Sequence, residues 1–344
     1  MKIGIVTFTF GDNFGQRLQN LAMQQILTTL FDADVVTLKQ KKYYGKREYV
    51  KNIFNKVFEK NSIEQERHKA FEQFNKDNIK FSDFFINANT NNSEISSYDY
   101  FVVGSDQVWS PFSSDVNSTM FLTFAPKEKR VALAPSMAAE DIPISKRELY
   151  KTYLNGFKYI SVREQQTARL INKYYGLDSV VLVDPTLMFD QSFWNEYIVK
   201  PTYELPDKYV LCYFLGDFSI EAKQNIEKEI GCEVIDIIND TKYLITSPAS
   251  FLYLIKNATY VITDSYHGTI FSFLYNKPLA IVKRKGTNNN MNSRFETLDN
   301  KMKFSLKFSD IDDIQFKTYQ TIETLRSLKE ERHKFINFAT TSIN

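Results

Sequence analysis

The chain has 344 residues, more than a single hydrophobic core usually serves, and 43% hydrophobic with 24% charged residues is ordinary for a folded globular protein. A formal charge of +2, with 43 Lys and Arg against 41 Asp and Glu, gives no global reason to expect a nucleic-acid partner. Cys212 and Cys232 lack metal-ligand spacing, no apolar run is long enough for a bilayer span, and the first residues read as a strand; the expectation is a reduced, cytoplasmic protein.

Short runs rich in Val, Ile and Tyr recur at 3–8, 35–38, 100–103, 131–134, 159–162 and 180–183, and each predicts a buried parallel strand. Helical period over 16–30 and 165–175 supplies crossovers of βαβ units. An insertion at 39–92 reads as mostly helical, and within it Lys39, Lys41, Lys42, Lys46, Arg47, Lys51, Lys56 and Lys60 oppose only Glu48 and Glu59. A solvated helix face accounts for that run, and the sharper reading is weak contact with anionic lipid headgroups at the inner face of a cell membrane. A polar stretch at 191–207, punctuated by Pro201 and Pro206, marks a domain boundary. Strands at 209–215, 234–237, 260–263 and 279–282 then alternate with helices at 220–230, 248–257 and 269–275, repeating the first architecture. The division expected is an N-terminal α/β lobe at 1–190, a C-terminal α/β lobe at 191–317, and a helix within 318–344 that folds back on the lobes.

In open parallel sheets, ligands bind beyond the C-terminal ends of strands, where helix N-termini present unpaired amides. Four strand-to-helix turns are unusually polar. After the first strand, Gly11 and Gly15 free the backbone while Asn13, Gln16, Arg17 and Asn20 offer donors, although taken alone this turn is better read as a plain capped helix with a surface arginine. After the third, Asp106 and Gln107 could grip sugar hydroxyls and Trp109 could stack on a pyranose, against a buried Trp beside a capping Asp. Arg163 ends the fifth strand, where its fork could hold a carboxylate or phosphate, or simply pair with Glu164 at the surface. The fourth turn, Asp264-Ser265-Tyr266-His267-Gly268-Thr269, sets a histidine where a helix starting near Thr269 would aim its positive end. Phosphate loops, Gly-x-Gly-x-x-Gly and Gly-x-Ser-x-Gly motifs are absent from the sequence, and His68, His267 and His333 are scattered, so neither a metal nor a cofactor is expected.

These segments, in this order, resemble the polysaccharide pyruvyl transferase family. The matching stretches are Asn13–Asn20, Gly104–Trp109, Ser161–Glu164, Val183–Leu187 and Val261–Thr269, with a weaker match at Asn292–Leu298. The resemblance implies two Rossmann-like lobes arranged as in the GT-B glycosyltransferases, with a cleft between them. It implies phosphoenolpyruvate as donor, one sugar of a bacterial surface glycan as acceptor, and a ketal across two of its hydroxyls as product. It places the family's anion-binding arginine at Arg163 and its active-site histidine at His267. The catalytic expectation is therefore His267, Arg163 and Asp264, with Ser265, Gly268, Thr269 and Lys283 joining Arg163 and His267 on the donor. Asn13, Gln16, Arg17, Asp106, Gln107 and Trp109 are expected to serve an acceptor that a lipid carrier could present. A nucleotide-sugar glycosyltransferase and a non-catalytic glycan-binding protein would use the same lobes and stay open as alternatives.

Overall fold

The runs rich in β-branched residues form strands buried on both faces, as parallel sheets covered by helices require. In the computed structural model, which describes residues 1–40, 63–90, 92–113, 116–285 and 292–343, they assemble into two sheets. The first contains β1 (Lys2–Val6), β2 (Asp34–Gln40), β3 (Phe81–Ile86), β4 (Tyr100–Val103), β5 (Arg130–Ala132), β6 (Tyr159–Val162) and β7 (Val180–Val181), in the order β3-β2-β1-β4-β5-β6-β7. The second contains β8 (Tyr209–Tyr213), β9 (Glu233–Asp236), β10 (Tyr260–Thr263), β11 (Leu279–Val282) and β12 (Phe308–Ser309), in the order β12-β11-β10-β8-β9. All of these neighbouring strands run parallel, so the chain is an α/β protein with two Rossmann-like lobes. Strand order reverses between β1 and β4 in one sheet and between β8 and β10 in the other.

The helices longer than five residues are α1 (Phe14–Phe31), α2 (Ile63–Asn78), α3 (Ile144–Leu154), α4 (Gln165–Tyr175), α5 (Ile220–Ile230), α6 (Pro248–Asn257), α7 (Tyr266–Leu274), α8 (Asn292–Met302) and α9 (Ile322–Ser342) among the described residues. Where α7 starts is a correction. It begins three residues before the expected Thr269, because Ser265 accepts a hydrogen bond from Gly268 N at 3.3 Å and caps it. Gly268 lies inside this helix: a Cβ there would stand 2.6 Å from Thr263 Oγ1, so glycine lets the helix lie against β10.

The insertion, expected to be mostly helical, also contains a strand. Its helix, α2, is present, but 81–86 forms β3, an edge strand whose alternating burial reflects one solvated face. The basic run from Lys41 to Lys60 lies outside the described residues, leaving Lys39 at the end of β2. No helix among the described residues is long and apolar enough to cross a membrane.

One apolar cluster runs through both lobes, joining Phe14, Leu18 and Leu21 of α1 to Tyr213 of β8, Phe251 of α6 and Phe271 of α7. Phe14 stacks on Phe251 with centroids 4.6 Å apart and planes at 3°, and meets Tyr213 edge-on at 5.5 Å. Burying such a ring is worth ~1.5–3 kcal/mol, and Phe14→Ala should cost ~3–5 kcal/mol. Polar ties follow the same seam: Arg67 of α2 donates to Asp12 O at 3.2 Å in one lobe and Leu244 O at 2.9 Å in the other. Arg332 Nε of α9 donates to Leu187 O at 2.7 Å, fixing the terminal helix against the turn at 185–188.

Candidate functional site

Both strand-order reversals open toward one another, and a cavity of about 200 Å³ lies between them. Asn13, Gln16, Asp106 and Gln107 line it from the ends of β1 and β4; Leu215, Ser265, His267, Arg284 and Arg294 line it from the second lobe. Two helices begin at this cavity. Asn13 caps α1, its Oδ1 accepting from Gln16 N at 3.1 Å, and Ser265 caps α7. Their positive ends come from opposite lobes and favour an anion between them. Asp106 takes a φ of 70°, left-handed backbone of the kind that costs about 1–3 kcal/mol and gathers at ligand sites.

His267, in the first turn of α7, is 6% exposed and held on two sides. Its Nε2 lies 3.4 Å from Asp184 Oδ2, and its Nδ1 abuts the backbone of Gly15 in α1. Asp184 is fixed in turn: Oδ1 accepts from Thr186 N at 3.0 Å and Thr186 Oγ1 at 2.7 Å, and Oδ2 from Arg163 Nη1 at 2.7 Å. Burial alone would raise the Asp184 carboxyl, but the adjoining His267, Arg163 and Thr186 hold it well below the usual carboxylate range. For Arg163, burial opposes the charge and Asp184, Glu164, Tyr266 and Asp106 outweigh it, so the guanidinium is held above its ordinary value. Its Cζ lies 4.9 Å from the centroid of the Tyr266 ring.

Arg294 lies 5.5 Å from the same ring and faces Gln107, whose amide oxygen, turned toward it, accepts from Nη1 at 2.8 Å and Nη2 at 3.2 Å. Burial first, and the like charge of Arg163 second, pull the Arg294 guanidinium down to about 10. Arg284 Nε reaches Asp264 Oδ2 at 3.1 Å.

Several expected roles need correction. Arg163 does not offer its fork to the cavity: it is 2% exposed and committed to Asp184, with Asp106 at 3.6 Å and Glu164 at 4.0 Å, a buried cluster and not a surface pair. Asp264 does not face His267. It accepts from Leu215 N and Gly216 N, each at 2.8 Å, and from Arg284, closing the loop after β8. Gly268 N is spent on the Ser265 cap and Thr269 Oγ1 donates to Ser265 O at 3.1 Å. Arg17, expected at the acceptor, is buried and donates to Phe8 O at 3.3 Å and to Gly11 O, bracing the loop after β1. Trp109 has no exposed surface: it stacks on Phe121 at 5.2 Å and its Nε1 donates to Met120 O at 2.9 Å, so neither its face nor its N–H is open to a sugar. Lys283 points away, lying 5.9 Å from the Phe308 ring, and the neighbouring Arg284 lines the cavity instead. Asn13, Gln16, Asp106, Gln107, Ser265 and His267 do come together.

Sequence reasoning assigned no role to Asp184 or Arg294. Asp184-Pro185-Thr186 after an apolar run has the form of a helix cap, which it is, but nothing in spacing shows that its second oxygen meets Arg163 and His267. Arg294 follows residues that carry no strand signal.

A family model described as polysaccharide pyruvyl transferase matches residues 13–285, most of the chain and all of this cavity except Phe8 and Arg294. No curated protein sequence matches at a significant level. Among solved structures, the chain is similar to a UDP-GlcNAc 2-epimerase from Neisseria meningitidis bound to UDP-GlcNAc, at 12% identity and TM-score 0.45, covering 98% of this chain and 94% of that one. It is similar to the enzyme of that name from Methanocaldococcus jannaschii, at 12% identity and TM-score 0.46 over 99% and 100% of the two chains. The UDP-N-acetylglucosamine 2-epimerase from Rickettsia bellii gives 11% identity and TM-score 0.44 over 99% and 96%.

Proposed function

Because the chain belongs to the polysaccharide pyruvyl transferase family, we propose that it moves the enolpyruvyl-derived group of phosphoenolpyruvate onto two hydroxyls of one glycan sugar, forming a ketal and releasing phosphate. The carrying observation is the cavity: two helix N-termini, Arg284 and Arg294 surround about 200 Å³, which suits a small trianion.

In this reading the donor's carboxylate and phosphate lie against the two arginines and the helix ends, taking over the part first assigned to Arg163. Protonation of C3 turns the methylene into a methyl group and leaves an oxocarbenium at C2. One sugar hydroxyl adds there and loses its proton. Phosphate then departs as the second hydroxyl adds, loses its proton and closes the ring. We assign the proton that C3 receives to His267; because its Nε2 faces Asp184 and its Nδ1 faces Gly15, the transfer requires the ring to turn one nitrogen toward the donor. Arg163 keeps Asp184 ionised and acts as a positioning residue. Asn13, Gln16, Asp106 and Gln107 supply donors and acceptors for the sugar hydroxyls.

Incubation with phosphoenolpyruvate and a panel of glycosides, following free phosphate and the mass of a pyruvyl adduct, tests this. Phosphate and adduct should appear in equal amounts. Sugar transfer from a nucleotide sugar with release of nucleoside diphosphate, and no adduct, would replace the reading.

A further inference from the structure

A second cavity, of about 500 Å³, opens on the other side of the segment that carries Phe8 into the first one. Thr9 and Phe10 line it, with Lys39 at the end of β2, Phe85 near the end of β3, and Asn75 and Lys76 of α2. It runs along the edge strand β3, from Ile79 and Phe81 at its start to Phe85, and reaches the C-terminal ends of β1 and β2 at Thr9 and Lys39, where parallel sheets receive ligands.

Three properties describe what it would take. Its aromatic rings supply flat apolar surface, and Phe85 leaves 48% of its surface exposed. Asn75 is 4% exposed, donates from Nδ2 to Glu72 Oε1 at 3.2 Å, and leaves its buried Oδ1 without a hydrogen-bond partner. A buried acceptor left unmade is costly, and a ligand hydroxyl would satisfy it. Lys39 and Lys76 form no ion pair with a described residue, and Glu72 is the one carboxylate among the described lining residues. Flat apolar walls, a hydroxyl acceptor and two ammonium groups match a sugar unit that carries a negative charge.

We infer that this cavity holds an anionic unit of the acceptor glycan, next to the sugar that receives the pyruvyl group. The inference rests on the pyruvyl-transfer reading for the word acceptor, but not for the site itself. The negative charge has two sources, a sugar carboxylate or a phosphate that links the sugar onward, and the experiment separates them.

Ligand-observed NMR without phosphoenolpyruvate would use digalacturonate, glucose 1-phosphate and neutral cellobiose as probes. At least one anionic probe should bind, and the double variant Lys39→Glu/Lys76→Glu should weaken it roughly tenfold while cellobiose binding stays as it was. Phe85→Ser, at an exposed position, should weaken both probe classes. Under turnover the charge variant should raise the acceptor KM and leave the KM of phosphoenolpyruvate unchanged. Binding of neither anion, or binding that ignores the charge reversal, overturns the site. Probe binding lost in the variant, together with no adduct from any acceptor, keeps the site and removes the pyruvyl-transfer reading.

Discussion

Gly15 of the first lobe and His267 of the second approach so closely that a Cβ on Gly15 would stand 2.0 Å from His267 Nδ1. The imidazole is thus clamped between the start of α1 and the Asp184 carboxylate, and its position depends on both lobes.

Gly15→Ala should push the ring off Asp184 without unwinding α1, since alanine is a good helix former. Turnover, read as phosphate release at saturating phosphoenolpyruvate, should fall by roughly 10². Wild-type turnover with an unchanged circular-dichroism spectrum would show that the ring's placement does not matter to the rate.

His267→Ala should lower kcat by about 10² to 10⁴ if the imidazole transfers the proton to C3. His267→Gln separates proton transfer from binding. A glutamine that keeps much of the rate and mainly raises the donor KM would make His267 a phosphate ligand.

Arg163→Lys keeps the charge but loses the Nη1 hydrogen bond to Asp184 and the guanidinium plane against Tyr266. Because this pair is buried, removing one charge, as Asp184→Asn does, should cost about 3–5 kcal/mol, and Arg163→Lys should cost less. Urea unfolding of Arg163→Lys, Asp184→Asn and the double variant gives the coupling, and strictly additive losses would deny that the two residues act as a pair.

The Asp184 carboxyl titrates below its ordinary value of about 3.9 in the folded chain. Its contribution is therefore complete above that value and disappears as pH falls through the lower, folded one. The stability gap between wild type and Asp184→Asn should stay flat from pH 7 to about 5 and shrink only below about 4. Closure of the gap already above pH 5 would contradict a depressed carboxyl.

Trp109→Ala should cost stability, ~3–5 kcal/mol for a fully buried indole, and should leave the acceptor KM of the folded fraction unchanged. A selective rise in acceptor KM at unchanged melting temperature would return the indole to the sugar.

Strand positions were legible because burial on both faces writes itself as short, mainly apolar runs rich in Val and Ile: β4, β6, β10 and β11 begin and end where the runs do. β3 was not, since Phe81-Ser82-Asp83-Phe84-Phe85 at a sheet edge mixes polar and apolar residues inside a helical, charged neighbourhood. Polar turns likewise revealed where the cavity would be, and Asn13, Asp106, Gln107 and His267 line it. The direction each side chain takes was not legible. Trp109 and Arg17 turn inward because backbone carbonyls at Met120 and Phe8 satisfy their N–H groups, and such pairings depend on tertiary contacts that no local spacing records. Arg163 meets Asp184 across 21 positions for the same reason.

The Phe14–Phe251 stack bears on how such a chain can be inherited. Two lobes with separate sheets look like modules that recombination could trade, but the rings at 14, 71, 213 and 251 belong to one shared interior. A lobe moved into a relative without its partners would expose an aromatic face on each side of the joint. An exchange of one lobe that keeps the fold is therefore expected to carry these four positions together, along the seam where the reaction is proposed to occur.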